Sequence, residues 1–416
     1  MRGPPIGARI EPGRMALIAF CLPALPSHAA VHGALARTLA ARGHDCRMVG
    51  AEGLRALAAR EGLRFEGLGT READLRGAGL VRTLLATAAA TRGFVRRGPE
   101  ALGRLASDLV VADQAEPGAS LAAEAAGVPR ITLASALPLD RDEAIPPPFV
   151  NWPFLEGEAG RKRNRGGWRV ADALMTLQSR ALAEGCRAHR LPMRRHIHEW
   201  ISEALDLRQF VPSLDFPHAS GPGARAVGPL RTEEAGAFEA ETGRGPLVFA
   251  SLGTLQGGRR ALFAAMAEAA ADLGVVLALA HGGGLTEAEA GGLPGAPTVR
   301  DFFPQRAVLA HAAACVTHAG LNTVLDCAAA QVPMVAIPLA FEQPGTAARL
   351  AFHGAARVLP RRRASRAAIR EGLAAVLSDP SYRAALAVPA AEIAAAGGVT
   401  RAADLVEARL PRRLAA

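Results

Sequence analysis

Short apolar runs bounded by Gly or Pro alternate along the chain with longer Ala/Leu/Arg segments of helical composition. Runs of four to eight apolar residues fit buried strands, and strands separated by helices give the rhythm of parallel α/β units rather than of a sandwich or a bundle. Two such series are visible. In the first, residues 16–21 predict a buried strand, about 30–41 a helix closed by Gly43, and 45–49 a second strand. Strands at 109–112 and 131–134 then bracket a helix near 119–126, with Gly127-Val128-Pro129 as the turn. Two insertions interrupt this series, an amphipathic one at 80–95 and an irregular, proline-rich one at 138–154. The second series predicts strands at 247–251, 275–280, 314–317 and 335–337, with helices after Gly258, Arg306, Asn322 and Pro344.

Between the series, residues 214–230 carry Pro217, Gly221, Pro222, Gly223, Gly228 and Pro229, the composition of a linker. The expected organisation is a loose extension over 1–14, a first Rossmann-like domain over 15–220, a linker at 221–230 and a second Rossmann-like domain over 231–400. A terminal helix at 401–416 would return to the first domain. Two doubly wound parallel sheets would face each other across a cleft at the carboxyl ends of their strands, where open α/β sheets place ligands.

The length of 416 residues agrees with two domains, and an apolar fraction of one half with a globular chain. A net charge of +9 raises the question of nucleic acid, but aromatic residues make up only 4%, leaving few rings on which bases could stack. Nucleic acid is therefore not an expected partner. Lys162 is the one lysine, and arginines cluster at 92, 96 and 97 and again from 161 to 169. These clusters read either as a solvated face or as a surface drawn to anionic membrane. The five cysteines, 21, 46, 186, 315 and 327, have neither CxxC nor metal-ligand spacing and are odd in number, which points to a reducing cytoplasm. The apolar run after Arg14 could pass for a signal peptide, but the same residues serve as the first strand, and Met15 is an alternative start. No apolar stretch reaches the ~18 residues of a membrane span.

The chemistry concentrates in residues 302–343. A strand ends in His318-Ala319-Gly320, and a helix begins directly after it with Asn322 and Thr323 at its start. Glycine permits close backbone approach, and the free amides and positive dipole end of the helix suit a diphosphate. A plain N-cap role for Asn322 is the competing reading.

This segment resembles the nucleotide-sugar box of family 1 glycosyltransferases, the UDP-glycosyltransferases. In register with that box, Phe302 would stack on the base and Gln305 follows its proline. His318 would contact the diphosphate, Gly320, Asn322 and Thr323 form the helix start, and Asp326 stands at the ribose position. Glu342 and Gln343 match the acidic-plus-Gln pair that holds sugar hydroxyls, and Ser251, Gly253 and Thr254 match the loop beneath the diphosphate. Leu321 stands where plant members have Trp, Glu342 where Asp is usual, and the interval from Gln305 to His318 is two residues shorter. The resemblance implies a GT-B architecture and a UDP-sugar co-substrate, with no cofactor.

In the first domain, Leu25-Pro26-Ser27-His28 reads as a loop at the carboxyl edge of the sheet, and Asp113 directly follows the strand at 109–112. These positions match the family's catalytic histidine and its orienting aspartate. An imidazole is a base poised near neutral pH, and a carboxylate would fix its tautomer. A capping role is the alternative for Asp113, Glu116 is its competitor, and His32 and His44 read as structural. The implied reaction is a single inverting displacement that needs no metal. Asp140-Arg141-Asp142 resembles a metal-binding DxD but lies in a proline-flanked loop. Neither a P-loop nor a Gly-x-Gly-x-x-Gly start is present. His281 to Gly284 also follows a strand, but a plain flexible turn explains it as well, and it is left unassigned.

Within the family, the runs ADQAEPGASLAAEAAGVPR, ASLGTLQGGRR, DFFPQRAVLAH and THAGLNTVLDCAAAQVPMVAIPLAFEQPG look like those of bacterial members that glucosylate zeaxanthin. That implies a lipophilic acceptor, with Leu84, Phe94, Phe149 and Trp152 lining an apolar tunnel; core packing explains the same residues equally well. With the cytoplasmic location read from the cysteines, the Arg clusters beside these insertions would seat the enzyme peripherally on the inner face of the membrane that dissolves such an acceptor. Other lipophilic aglycones (sterol, macrolide, glycolipid), an epimerase, and an inactive nucleotide-sugar-binding module are the alternatives.

Overall fold

The computed structural model describes residues 15–232, 236–239, 245–255 and 258–411. The 1–14 extension lies outside them. The first half runs β1 (Leu17–Cys21), α1 (Pro26–Ala41), β2 (Asp45–Gly50), α2 (Leu54–Arg60), β3 (Arg64–Gly67), α3 (Leu80–Leu105), β4 (Leu109–Asp113), α4 (Pro117–Ala125) and β5 (Arg130–Ala134). It continues with α5 (Gly157–Leu174), α6 (Thr176–Ala188), β6 (Asp206–Arg208) and β7 (Ala224–Ala226). The second half runs β8 (Leu247–Ser251), α7 (Arg260–Asp272), β9 (Val276–Ala280), α8 (Glu287–Gly291), β10 (Thr298–Arg300), α9 (Gln305–Leu309), β11 (Ala312–Thr317), α10 (Leu321–Ala329) and β12 (Met334–Ala336). Then come α11 (Gln343–Phe352), β13 (Ala356–Val358), α12 (Arg366–Ser378), α13 (Ser381–Ala384), α14 (Ala387–Ala395) and α15 (Gly398–Glu407).

All described strand pairs are parallel, in the orders β3-β2-β1-β4-β5-β6-β7 and β10-β9-β8-β11-β12-β13. Each sheet is covered on both faces, which is why its central strands read as unbroken apolar runs. Ile18, Phe20 and Val111 pack on one face of the first sheet, and Ala19, Cys21, Val110 and Ala112 on the other. In the second sheet Phe249 and Cys315 oppose Val248, Ala250 and Val316 in the same way. Chain order reverses between β1 and β4 and between β8 and β11. Those two switch points are where loops part and a crevice opens.

Several elements depart from the sequence pattern. The first helix begins at Pro26 rather than near residue 30, because proline's fixed φ and missing N–H suit the first helical position. The amphipathic insertion continues as α3 to Leu105 through Pro99. Proline leaves the carbonyl four residues back without an amide, and here His189 Nε2 donates to Val95 O at 3.1 Å instead. Residues 221–230 contain β7, an edge strand of the first sheet, and Val227 and Leu230 are buried in that domain's core, so this stretch is more than a linker. Strands β3, β6, β7, β10 and β13 are three or four residues long and lack the apolar run that would announce them.

The halves are tied together at several places, of which two involve α15 and α11. Helix α15 lies on α1, with Ala402 and Val406 in the first core and Arg42 bridging Asp404 and Glu407 at 2.8 Å each. Near the end of α11, Arg349 Nε donates to Asp215 at 2.6 Å, and Phe154, Phe216 and Phe352 pack ring to ring.

Candidate active site

Strands β1 and β4 are neighbours, with Cys21 opposite Ala112, so the segments leaving their carboxyl ends meet at the first switch point. Asp113 is the last residue of β4, and His28 sits in the first turn of α1 rather than in the loop before it. His28 Nδ1 lies 2.8 Å from Asp113 Oδ2. The same oxygen accepts from Ser135 Oγ at 2.7 Å and meets His32 Nε2 at 3.0 Å, while Oδ1 accepts from the Ala115 amide at 2.8 Å. Burial alone would raise the Asp113 pKa. Attraction to His28 and hydrogen bonds from both histidines outweigh it and hold the carboxyl well below the usual carboxylate range.

An ionised Asp113 places the His28 proton on Nδ1 and leaves Nε2 with its lone pair. Burial opposes charging His28, but the adjacent carboxylate prevails, so its pKa stands above the ordinary imidazole value. Glu342 from the second half also favours the charged ring, which puts the two groups within electrostatic reach across the domains. Burial in turn raises the Glu342 pKa. Glu116 is separate from this pair: it caps α4 by accepting from Gly118 N and takes a 2.8 Å bond from Thr91 Oγ1. Burial pushes its carboxyl up to about 8.

At the second switch point Ser251 pairs with Thr317. Ser251 Oγ accepts from Gly253 N at 3.3 Å, and Gly253 adopts φ 70°. A Cβ on Gly253 would lie 2.8 Å from the His318 ring, and one on Gly320 would collide with His318 Nε2. The imidazole thus lies between two glycines. Burial pushes its pKa down to about 4, and its Nδ1 has no hydrogen-bond partner among the described residues. Gly320 is the N-cap of α10 and Leu321 its first residue, so the amides at this end have no side-chain cap. Thr254 borders the Gly282 turn.

Asn322 is not that cap. Its Nδ2 donates to Ser27 O at 3.3 Å across the domains, and its Oδ1 accepts from Gln209 Nε2 at 3.4 Å and Arg231 Nη2 at 3.2 Å. Thr323 Oγ1 donates to Gln305 Oε1 at 3.1 Å, and Gln305 Nε2 donates to Asp326 Oδ2 at 2.6 Å. Asp326 Oδ1 accepts from Arg231 Nε at 3.1 Å, so both carboxylate oxygens of the residue expected at a ribose already hold protein donors. Gln343 Oε1 accepts from the Leu339 and Ala340 amides at 2.9 Å each, which fixes the turn that presents Glu342. Phe302 is 61% exposed, a ring free on one face.

Three of the four expected acceptor-lining residues stay near the surface. Leu84 and Trp152 are half-buried, Trp152 beneath the Arg163 guanidinium at 5.3 Å, and Phe149 is exposed. Phe149 follows Pro148, whose carbonyl accepts from Gly345 N at 3.0 Å, close to the Glu342 turn. Phe94 is a correction: it is 3% exposed and packs with Ala119 and Ala122 in the first-domain core, because its face of α3 lies on α4. In the DxD-like loop, Asp140 binds Arg208 and Asp142 caps Ala144 N. His281 is closed by Leu285 N and Asp301.

Sequence reasoning missed Gln209, Arg231 and Ser135, and read His32 as structural only. The four-residue spacing of His28 and His32 was a usable signal, since it sets both rings on one helix face. Ser135, Gln209 and Arg231 follow short strands or turns with no pattern of their own.

Two parallel α/β domains with a buried His/Asp pair on one side and a glycine-flanked helix N-terminus on the other are a GT-B glycosyltransferase. The chain belongs to the UDP-glycosyltransferases: residues 197–388 match the family described as UDP-glucoronosyl and UDP-glucosyl transferase. It is 36% identical to the zeaxanthin glucosyltransferase of Pseudescherichia vulneris, over 94% of this chain and 98% of that one. It is 33% identical to that of Pantoea ananas, over 94% and 96%. Among solved structures, the glycotransferase of kitacinnamycin superposes with a TM-score of 0.77 at 22% identity, covering 96% of this chain and all of the other.

Proposed function

We propose that this glycosyltransferase moves glucose from UDP-glucose onto a hydroxyl of zeaxanthin or a related hydroxycarotenoid, with inversion and without a metal ion. The observation that carries the reading is the His28–Asp113 pair at 2.8 Å, joined through Asn322 and Ser27 to the helix end of the second domain. His28 Nε2 takes the proton of the acceptor hydroxyl, whose oxygen attacks the anomeric carbon as the UDP leaves on the opposite face. Asp113 stabilises the imidazolium that forms. Negative charge developing on the diphosphate meets the free amides of α10 and the Ser251–Thr254 loop, while His318 packs beneath it. Phe302 stacks on the uracil, Asp326 and Gln305 border the ribose, and Glu342 and Gln343 take the sugar hydroxyls.

Similarity over nearly the whole chain to two zeaxanthin glucosyltransferases supports the acceptor. Leu84, Phe149 and Trp152 offer it an apolar approach. No described helix is long and apolar enough to cross a membrane. Instead, Val81, Leu85, Val170 and Leu174 are exposed near the Arg161–Arg169 cluster of α5 or on α3, a surface that would seat the enzyme on the leaflet holding its acceptor. Flotation with anionic liposomes tests this seating, and protein that stays with the soluble fraction contradicts it. The transfer itself is tested by incubating the protein with UDP-glucose and zeaxanthin and weighing the products. Hexose addition to the carotenoid is expected; addition only to a sterol, macrolide or glycolipid offered in parallel would reassign the acceptor.

A further inference from the structure

Oxygen Oδ2 of Asp113 serves three side chains at once: His28 Nδ1 at 2.8 Å, His32 Nε2 at 3.0 Å and Ser135 Oγ at 2.7 Å. A carboxylate oxygen offers about two lone-pair directions, so three donors compete for the charge of one atom. His32 is fully buried, its ring edge against Phe20, and its Nδ1 has no hydrogen-bond partner among the described residues. Its contact with Asp113 is therefore the polar anchor of a ring that packing alone would let an apolar side chain replace. Ser135 closes the carboxylate from the other side, at the end of β5 beside β4.

We propose that His32 and Ser135 are positioning residues that set the basicity of His28 through Asp113. The idea rests on His28 being the base. Each donor holds Asp113 in the rotamer that meets His28 and draws on the charge that would otherwise stabilise the His28 imidazolium, so together they keep the base free nearer neutral pH. The other groups facing this cluster are Glu342 from the second domain, which favours the His28 cation, and Glu116 behind Asp113, with the Cys21 thiol beside Glu116 on β1. None of these donates to Asp113 Oδ2.

The test is the pH profile of kcat/KM for His32→Leu, His32→Gln and Ser135→Ala, with folding checked by thermal unfolding. Loss of a donor from Oδ2 strengthens the Asp113–His28 pair, so the acidic limb should move to higher pH by roughly half a unit to one unit in His32→Leu and Ser135→Ala. Gln, whose amide nitrogen can reach the place of Nε2, should return the limb toward the wild-type position. A purely structural role would lower activity without moving the limb. A limb that stays put or moves down in the folded variants overturns the proposal, and Ser135→Ala carries the test if His32→Leu does not fold. Full activity of His28→Ala would instead remove the base on which the idea rests, an outcome separate from either result.

Discussion

Asn322, in the first turn of α10, donates its side-chain amide to the backbone carbonyl of Ser27, the residue before His28, at 3.3 Å. One side chain thus registers the start of α10 against the turn that carries His28. The same Asn322 is held by Gln209 and Arg231, so its position is set from three directions. Replacing it with Asp keeps the size but turns the donor to Ser27 into an acceptor. Asn322→Asp should raise the KM for UDP-glucose and lower kcat together, about 10- to 100-fold in kcat/KM, since a misplacement near 1 Å costs that much. Steady-state kinetics in both substrates would check it, and unchanged constants would show the contact to be incidental.

In the proposed mechanism the pH dependence originates in His28. A base must be unprotonated to act, and the His28 pKa is raised by Asp113 despite burial. The acidic limb of kcat/KM in the wild-type protein should therefore have its midpoint above the roughly 6.5 of a free imidazole. For stability the sign is opposite. Protonated His28 is favoured in the fold, so its contribution is fully present below about pH 6.5 and fades as pH rises through the raised value.

Glu116 provides a stability test away from chemistry. Its folded pKa of about 8 means the folded protein keeps a proton that the unfolded chain releases above about 4.3. Stability should fall as pH rises from 5 to 8, by a few kcal/mol at about 1.4 per unit. Glu116→Gln preserves acceptors for Thr91 and Gly118 N and removes the titration. Denaturant unfolding at pH 5 and pH 8 should show a smaller difference in the variant, and an equal difference would place the proton elsewhere.

The two glycines around His318 make a steric prediction. Gly320→Ala forces its methyl into the His318 ring and tilts the turn before α10. A loss of about 1–3 kcal/mol in stability and at least tenfold weaker UDP binding are expected, measurable by thermal unfolding and calorimetry. Wild-type binding would mean that the imidazole moves aside without consequence.

The central strands of both sheets were legible in the sequence, because parallel strands buried on two sides leave unbroken apolar runs. Short edge strands leave none, so β7 hid in a stretch that composition alone marks as linker. The switch point between β1 and β4 brings the side chains of His28 and Asp113 to 2.8 Å, and the two were singled out by their match to the family's pattern. The network from Arg231 through Asp326 to Gln305 was not, because it depends on how a turn after Pro229 folds back onto α10. Phe94 shows the opposite error: an aromatic in an insertion suggests a tunnel, yet helix phase turned it into the core.

The central claim is that His28 removes the acceptor proton at a site whose UDP cradle lies in the other domain. The most direct measurement is the turnover of His28→Ala with UDP-glucose and zeaxanthin, alongside its UDP affinity. A fall of about 10²- to 10⁴-fold in kcat with UDP binding within a few-fold of wild type is predicted; turnover at the wild-type rate, with UDP still bound, would contradict it.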